Sequence, residues 1–289
     1  MDTSFNKKIF IAGGNGFIGQ ALSKELQSAG YHVTVLSRSQ YQNNPTELSK
    51  IIEGGFAVIN LAGATINKRW TAKYKAEIVN SRVLSAITIA KAISLCKLPP
   101  ERFISTSAIG IYDTVHVHNE QSVFFANDFL AEVCSSWEAA AGNVPATTKR
   151  TIIRLAVVLG MNGGLLKKLK PLFALCLGSH MGSGKQPFPF IHICDVCSAI
   201  LHILSQEMPS KIYNLVSPKM ISNKQFTNAF AKALHRPAIL AVPAFILKFM
   251  LGKRSSLVLE GQKAIPANLQ QDGFVFRYAD VTDASFWVK

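Results

Sequence analysis

The sequence predicts an α/β protein built on a doubly wound parallel sheet of Rossmann type, with a small C-terminal lobe. Two patterns carry that expectation. At the start of the chain an apolar run too short for a helix, Ile9-Phe10-Ile11-Ala12, enters a turn with glycines at 13, 16 and 19, and a helix-like stretch over 20–26 follows at once. Beyond it, short apolar runs alternate with helical segments down the chain, the pattern of βαβ units packed into one parallel sheet. The 289 residues are 48% hydrophobic, which is ample for a full core.

Strand, glycine turn and helix in that order open a dinucleotide-binding unit. Gly13 permits the tight turn, Gly16 lets backbone N–H groups reach a pyrophosphate, and Gly19 lets the helix pack close to the strand. Asn15, Phe17 and Ile18 complete this cofactor loop, and the new helix aims its positive N-terminus at the phosphates. The next strand, Tyr31-His32-Val33-Thr34-Val35-Leu36, ends in Ser37-Arg38-Ser39. An NAD site usually carries Asp or Glu near this point for the ribose 2′-hydroxyl. No carboxylate occurs here from Gln27 to Pro45, and Ser37 and Arg38 stand where a 2′-phosphate would sit. Arginine grips phosphate with two parallel hydrogen bonds, so the expected cofactor is NADP.

Further strands are expected over 55–63, 101–107, 150–160 and 211–216, separated by helices around 71–96, 127–142, 193–206 and 223–235. Ligands of such sheets bind at the carboxyl ends of the strands. That rule brings the 13–19 turn together with Leu61, Ala62, Gly63 and Ser107. The longest apolar stretch, 238–251, contains Pro243 and Lys248 and is too short to span a bilayer; it reads as a strand or turn leading into a buried helix. Gly182-Ser183-Gly184-Lys185 lacks the spacing of a phosphate-binding P-loop and reads as a lid or hairpin.

The formal charge is +14, yet Lys and Arg are spread over the chain without a tract or an RNA-binding motif. A solvated basic surface and a polyanionic cofactor account for it better than nucleic acid does. A polar N-terminus without a signal sequence and five scattered cysteines suit free thiols and a cytoplasmic location. His192 lies beside Cys194 and Cys197, but a single Cys-x-x-Cys without a second pair predicts buried helix cysteines and no metal. His192 and Asp195 read as a hydrogen-bonded pair at a helix start.

These blocks, with Arg69-Trp70-Thr71, Ser81-Arg82-Val83, Ser105-Thr106-Ser107-Ala108, Trp137-Glu138, Val158-Leu159-Gly160, Arg236-Pro237-Ala238 and Gly273-Phe274-Val275-Phe276, cover nearly the whole chain. Together they resemble the extended, atypical short-chain dehydrogenases/reductases, in the nucleotide-sugar-epimerase-like branch sometimes labelled cell-division inhibitor. The resemblance implies an NAD(P)-binding domain over 1–216, with 161–190 contributing to a substrate lobe, and a small lobe of its own over 217–289. It also implies oxidoreductase or epimerase-like chemistry on a carbonyl or alcohol. Short-chain reductases hold the substrate oxygen with a serine, which Ser107 matches, and exchange the proton through a Tyr-x-x-x-Lys pair whose lysine lowers the phenol pKa. That pair is absent. None of the six tyrosines has Lys four residues on, and the corresponding positions read Leu130 and Cys134.

Loss of a general acid is worth about 10²–10⁴ in rate. Tyr112, five residues beyond Ser107, is the nearest phenol and the first candidate replacement, with Glu120, Asp128 and Glu132 behind it; its other reading is a packing residue at a loop mouth. Lys68, Arg69, Lys73, Lys75 and Arg82 suit an anionic substrate or shielding of the cofactor, or equally a charged helix face anchored by Trp70. The expected partners are a small-molecule substrate and, by analogy with such folds, a second copy of the chain through paired helices, with no membrane or nucleic acid. Two functions remain open: an NADP(H)-dependent enzyme with a non-standard proton donor, and a non-catalytic NADPH-binding sensor or interaction protein.

Overall fold

The computed structural model describes residues 7–288. Its first elements are β1 (Lys8–Ala12), α1 (Phe17–Ser28), β2 (His32–Leu36), α2 (Arg38–Gln42), α3 (Pro45–Ile52), β3 (Ala57–Asn60), α4 (Ala72–Leu95) and β4 (Arg102–Ala108). Next come β5 (Val117–His118), α5 (Phe129–Ala140), β6 (Lys149–Leu155), β7 (Val157–Leu159), α6 (Gly164–Ala174), β8 (Ser179–Met181) and β9 (Phe190–His192). Then follow α7 (Ile193–Ser205), β10 (Ile212–Leu215), α8 (Asn223–Ala233), β11 (Leu240–Val242), α9 (Ala244–Leu251), α10 (Ser256–Leu259), β12 (Lys263–Ala264) and α11 (Ala267–Gln271).

The central sheet is six-stranded and parallel, in the order β10-β6-β4-β3-β1-β2. Its register runs Ile9↔Val33 on one side of β1 and Ile9↔Ala57 on the other, and Ile59 meets Ile104 across β3 and β4. Strands β1 and β3 are short apolar runs buried on both faces, as helices on either side of a parallel sheet require. Because β2 and β3 flank β1 on opposite sides, the strand order reverses at β1. Such a reversal opens a crevice outside the carboxyl ends of the strands. Helix α4 starts at the Thr71 cap and is apolar and long enough to cross a membrane. Half of its apolar window is buried inside the protein, where Ile78, Ala86, Ile89 and Ile93 pack, so it serves as a core helix.

The chain divides into two compact units. One comprises residues 1–111, 127–154 and 197–213; the other comprises 112–126, 155–196 and 214–289. The second unit thus takes 112–126 as well as 161–190 and the C-terminal stretch, because β5 pairs with β12 through Val117↔Lys263. Its core is aromatic, built from Phe173, Phe190, Phe226, Phe230 and Phe286.

Two local expectations are corrected in this unit. The 238–251 stretch does form a strand and a helix, but α9 is largely exposed: Leu247 is its one buried side chain, Ile246 and Leu251 are half-buried, and Phe249 is 92% exposed. A helix apolar on every side can turn only one face to its own core. The 182–185 segment is no hairpin. It is a turn with Gly182 and Gly184 at φ +57° and +70°, and it leaves β8, which pairs parallel with β11. The chain that follows the turn does not fold back on β8; Pro187 bridges Ser222 instead.

Candidate functional site

The site residues drawn from the sequence lie at strand ends of the first unit, with one exception. Between β1 and α1 the chain turns through Gly13 at φ +80°, where a Cβ would stand 2.8 Å from the Leu61 carbonyl carbon. A Cβ on Gly19 would stand 2.5 Å from the Gly13 oxygen, so α1 approaches this closely only because residue 19 is glycine. The cap at Gly16 contributes no side-chain hydrogen bond, and the first turn of α1 carries no carboxylate. The positive helix end is left for an anion, with Asn15 and Gly16 exposed and Phe17 and Ile18 half-buried beside it. A dinucleotide pyrophosphate fits this donor set.

At the end of β2, Ser37 caps α2: its Oγ accepts from the Gln40 N–H while the Gln40 side chain accepts from the Ser37 N–H at 2.7 Å. Ser37 and Ser39 hydroxyls lie 3.0 Å apart, and both serines and Arg38 are exposed. Arg38 makes no ion pair among the described residues. Two hydroxyls and an unengaged guanidinium therefore stand together at this strand end, a set that fits a phosphate monoester.

The loop after β3 is held from behind. Asn60 is fully buried; its Oδ1 accepts from the Ala62 N–H at 3.1 Å, its Nδ2 donates to Ser85 Oγ, and its carbonyl accepts from Thr106 Oγ1 at 2.8 Å. The Ala64 N–H donates to Ser81 Oγ at 2.9 Å, and the Leu61 N–H to the Ala12 carbonyl. Leu61, Ala62 and Gly63 are thus fixed against β1 by α4 and β4. Ser81 and Ser85 were not legible as loop supports, because nothing near them in sequence marks a contact about twenty residues away.

Ser107, next to the end of β4, is buried, and its Oγ has no hydrogen-bond partner among the described residues; the same holds for Ser105. Buried hydroxyls are normally satisfied, so these two stand out as groups a ligand could engage. The Cys134 thiol of α5 lies beside the Ser107 hydroxyl and the Ala108 backbone. Burial, reinforced by the charge of Glu138, pushes that thiol up to about 11. It is a neutral S–H at physiological pH and no substitute for a cationic lysine.

Tyr112 belongs to the second unit and is fully buried. Its hydroxyl is 3.0 Å from both the Asn119 carbonyl and Asn214 Oδ1, and its ring stacks on His118 at 4.6 Å. These contacts favour the packing reading of Tyr112 over a role as replacement acid. Glu120 is likewise engaged, accepting from the Asn214 and Asn268 N–H groups, with burial raising its pKa. Asp128 caps α5 by accepting from the Leu130 and Ala131 N–H groups. Asp195 does not pair with His192 as the sequence suggested; it accepts from the Arg277 and Tyr278 N–H groups, both at 3.0 Å. Two backbone N–H groups from the bend at 277–278 match a carboxylate better than one imidazole does.

Trp70 anchors the basic segment: its Nε1 donates to the Ile66 carbonyl and its ring meets Phe129 edge-on at 5.3 Å. Lys75 lies over the Phe129 ring and Lys68 over Tyr74, while Arg69 and Lys73 are exposed. No cluster of three or more metal-ligating side chains occurs among the described residues. In the second unit an open cleft of about 540 Å³ is lined by Met161, Asn162, Lys167, Lys170, Pro171 and Ala174.

Comparison with known proteins agrees with this layout. Residues 9–215 match the NAD dependent epimerase/dehydratase family, and residues 242–285 match a domain of unknown function, DUF1731. The epimerase family protein SH2119 of Staphylococcus haemolyticus is 32% identical over 288 residues, covering 95% of this chain and 96% of the relative. The epimerase family protein SDR39U1 homolog of Arabidopsis thaliana is 33% identical over 298 residues, covering 96% and 85%. The crystal structure of the human epimerase family protein SDR39U1 (isoform 2) with NADPH superposes with a TM-score of 0.89 at 31% identity, covering 96% of this chain and 97% of that one. With its sheet, its glycine turn and this match over most of its length, the chain belongs to the NAD dependent epimerase/dehydratase family, in the extended short-chain dehydrogenase/reductase branch.

Proposed function

We propose that this protein binds NADP(H) and acts as an oxidoreductase or epimerase-like enzyme on a carbonyl or alcohol group of a small anionic substrate. The observation that carries the reading is the pairing of a glycine-turned, uncapped α1 with the exposed Ser37-Arg38-Ser39 cluster. The loop from Gly13 to Gly19 and Leu61, Ala62 and Gly63 would hold the dinucleotide, and Ser37 and Arg38 its 2′-phosphate. The human relative carrying NADPH supports that choice. When bound, the nicotinamide supplies a hydride donor or acceptor. The free Ser107 hydroxyl would donate to the substrate oxygen and fix its position.

A second reading, a non-catalytic NADPH-binding sensor, is favoured by one specific observation. Leu130 and Cys134 replace the proton-transferring pair, and Cys134 is neutral. The partner in either case would be a second copy of the chain packed along α4, whose Leu84, Ile87 and Leu95 are exposed; a cytoplasmic location belongs to the same proposal.

Titration with NADPH and NADH, read by nicotinamide fluorescence, tests the cofactor. We expect NADPH to bind tighter than NADH, and Arg38→Ala to weaken NADPH by about tenfold or more while leaving NADH nearly unchanged, the loss of one charge-assisted phosphate contact. Equal binding of the two nucleotides by the wild type would remove the NADP assignment. Oxidation of bound NADPH by any member of a carbonyl panel would remove the sensor reading.

A further inference from the structure

Arg82, on α4, is directed at the loop that follows β3. Its Nη2 donates to the Ala64 carbonyl at 3.0 Å and its Nη1 to the Ile78 carbonyl at 3.1 Å. On one side it faces Gly63, where a Cβ would come within 3.1 Å of the guanidinium carbon; on the other it lies 5.2 Å from the Trp137 ring. Gly63 is exposed, so the open side of the guanidinium is next to solvent at the strand end.

The charge itself needs an account. Arg82 is partly buried, and desolvation lowers its pKa, yet no carboxylate pairs with it among the described residues. Arg154 makes the contrast: it is also buried, and Glu138 grips it with two bonds of 2.8 Å. A guanidinium has five N–H donors, of which Arg82 gives two to carbonyls. A cation taken from water without a counter-charge is costly. Holding the loop does not explain it, since Ser81, Ser85 and Thr106 already bind Ala64 and Asn60. The charge is also felt at the Cys134 thiol, which lies beside the unpartnered Ser107 hydroxyl.

We propose that Arg82 is an anion-binding residue of this site, its guanidinium between Gly63 and Trp137 taking an oxyanion, either a phosphate of the cofactor or an acidic group of the substrate. The proposal rests on the cofactor reading above and extends it to a residue that the glycine-turn motif does not include. It also accounts for the glycine after Ala62, since a Cβ there would press on the guanidinium at 3.1 Å and displace it.

The test compares wild type, Arg82→Gln and Arg82→Lys, each checked for folding by its melting curve. NADPH affinity is read by fluorescence, 2′,5′-ADP affinity by competition, and the NADPH-bound protein is then titrated with inorganic phosphate. A cofactor contact predicts NADPH binding weakened about tenfold or more in Arg82→Gln with partial recovery in Arg82→Lys; 2′,5′-ADP binding falls with it if the 2′- or adenosine-side phosphate is held and is unchanged if the nicotinamide-side phosphate is held. A substrate contact predicts unchanged NADPH binding and loss of a saturable phosphate response that the wild type shows. Weakening of NADPH with a lowered melting temperature and no recovery in Arg82→Lys would make Arg82 a structural clamp and overturn the proposal. So would values within about twofold of wild type in every arm. Should Arg82→Gln not fold, Arg82→Lys, which keeps the charge and loses the fork, gives the same ordering with smaller ratios. If the wild type binds no NADPH, the cofactor reading fails, while a phosphate response of the protein alone still decides the role of Arg82.

Discussion

Cys134 stands where the resemblance puts a lysine, and its chemistry is the opposite of a lysine's. A lysine there would bring a fixed positive charge, whereas burial holds this thiol neutral with its pKa at about 11. The reactive form of cysteine is the thiolate. Iodoacetamide at pH 8 should therefore modify exposed Cys176 about tenfold faster than Cys134 or Cys96, the latter also pushed up to about 11 by burial and Glu53. Peptide mass spectrometry of the native protein reads this directly, and fast labelling of Cys134 would overturn its assignment as a neutral, buried thiol. Glu120 offers a second test at the same scale. Burial raises its folded pKa above the ordinary carboxylate value near about 4.3, so the native state holds its proton more tightly than the unfolded chain does. The favourable contribution is full below the unfolded value and is lost as pH rises through the raised folded value. Glu120→Gln cannot titrate, so the melting-temperature difference between wild type and Glu120→Gln isolates the effect. Wild type should gain on the variant as pH is lowered from 7 to 4; a difference independent of pH would show that Glu120 has an ordinary pKa.

The elements legible in the sequence were those whose neighbours in space are also neighbours along the chain. Strand β1, the glycine turn and α1 were read from consecutive residues, because the turn chemistry of Gly13 and Gly19 is local. The strand end at Ser37 and Arg38 followed from the same unit. Tyr112 shows the limit: its burial depends on Asn214, a hundred residues away, and on a ribbon between β5 and β12 with no local signal. The exposure of α9 was hidden for the converse reason, since apolar composition does not say whether a covering element exists. Helix α4 carries a related feature that can be tested. Leu84, Ile87 and Leu95 fall on one face, spaced three and eight residues apart, and all are exposed around the charge of Lys91. Light scattering on a sizing column should give wild type about twice the 31.5 kDa chain mass and the Leu84→Glu/Ile87→Glu pair the mass of one chain. A monomeric wild type would leave that stripe without the partner proposed for it.

The whole molecule carries +14, and the imbalance lies more in missing carboxylates than in clustered lysines. Residues 139–259 contain fifteen Lys and Arg against only Asp195 and Glu207, whereas residues 1–138 are nearly balanced, with thirteen basic and eleven acidic side chains. A positive field of this size attracts a polyanion over distances set by the Debye length, about 30 Å at 0.01 M salt and 3 Å at 1 M. The field should act on capture, because steering raises the encounter rate and leaves the bound complex to its local contacts. Stopped-flow binding of NADPH should therefore show an association rate that falls by about tenfold between 20 and 500 mM NaCl, with a dissociation rate that changes far less. The Arg38→Ala variant separates the two effects, since losing one contact should speed dissociation and leave most of the salt dependence of association in place. If salt acted on dissociation alone, affinity would rest on contacts such as Arg38, and the basic excess would be a solvated surface with no part in capture.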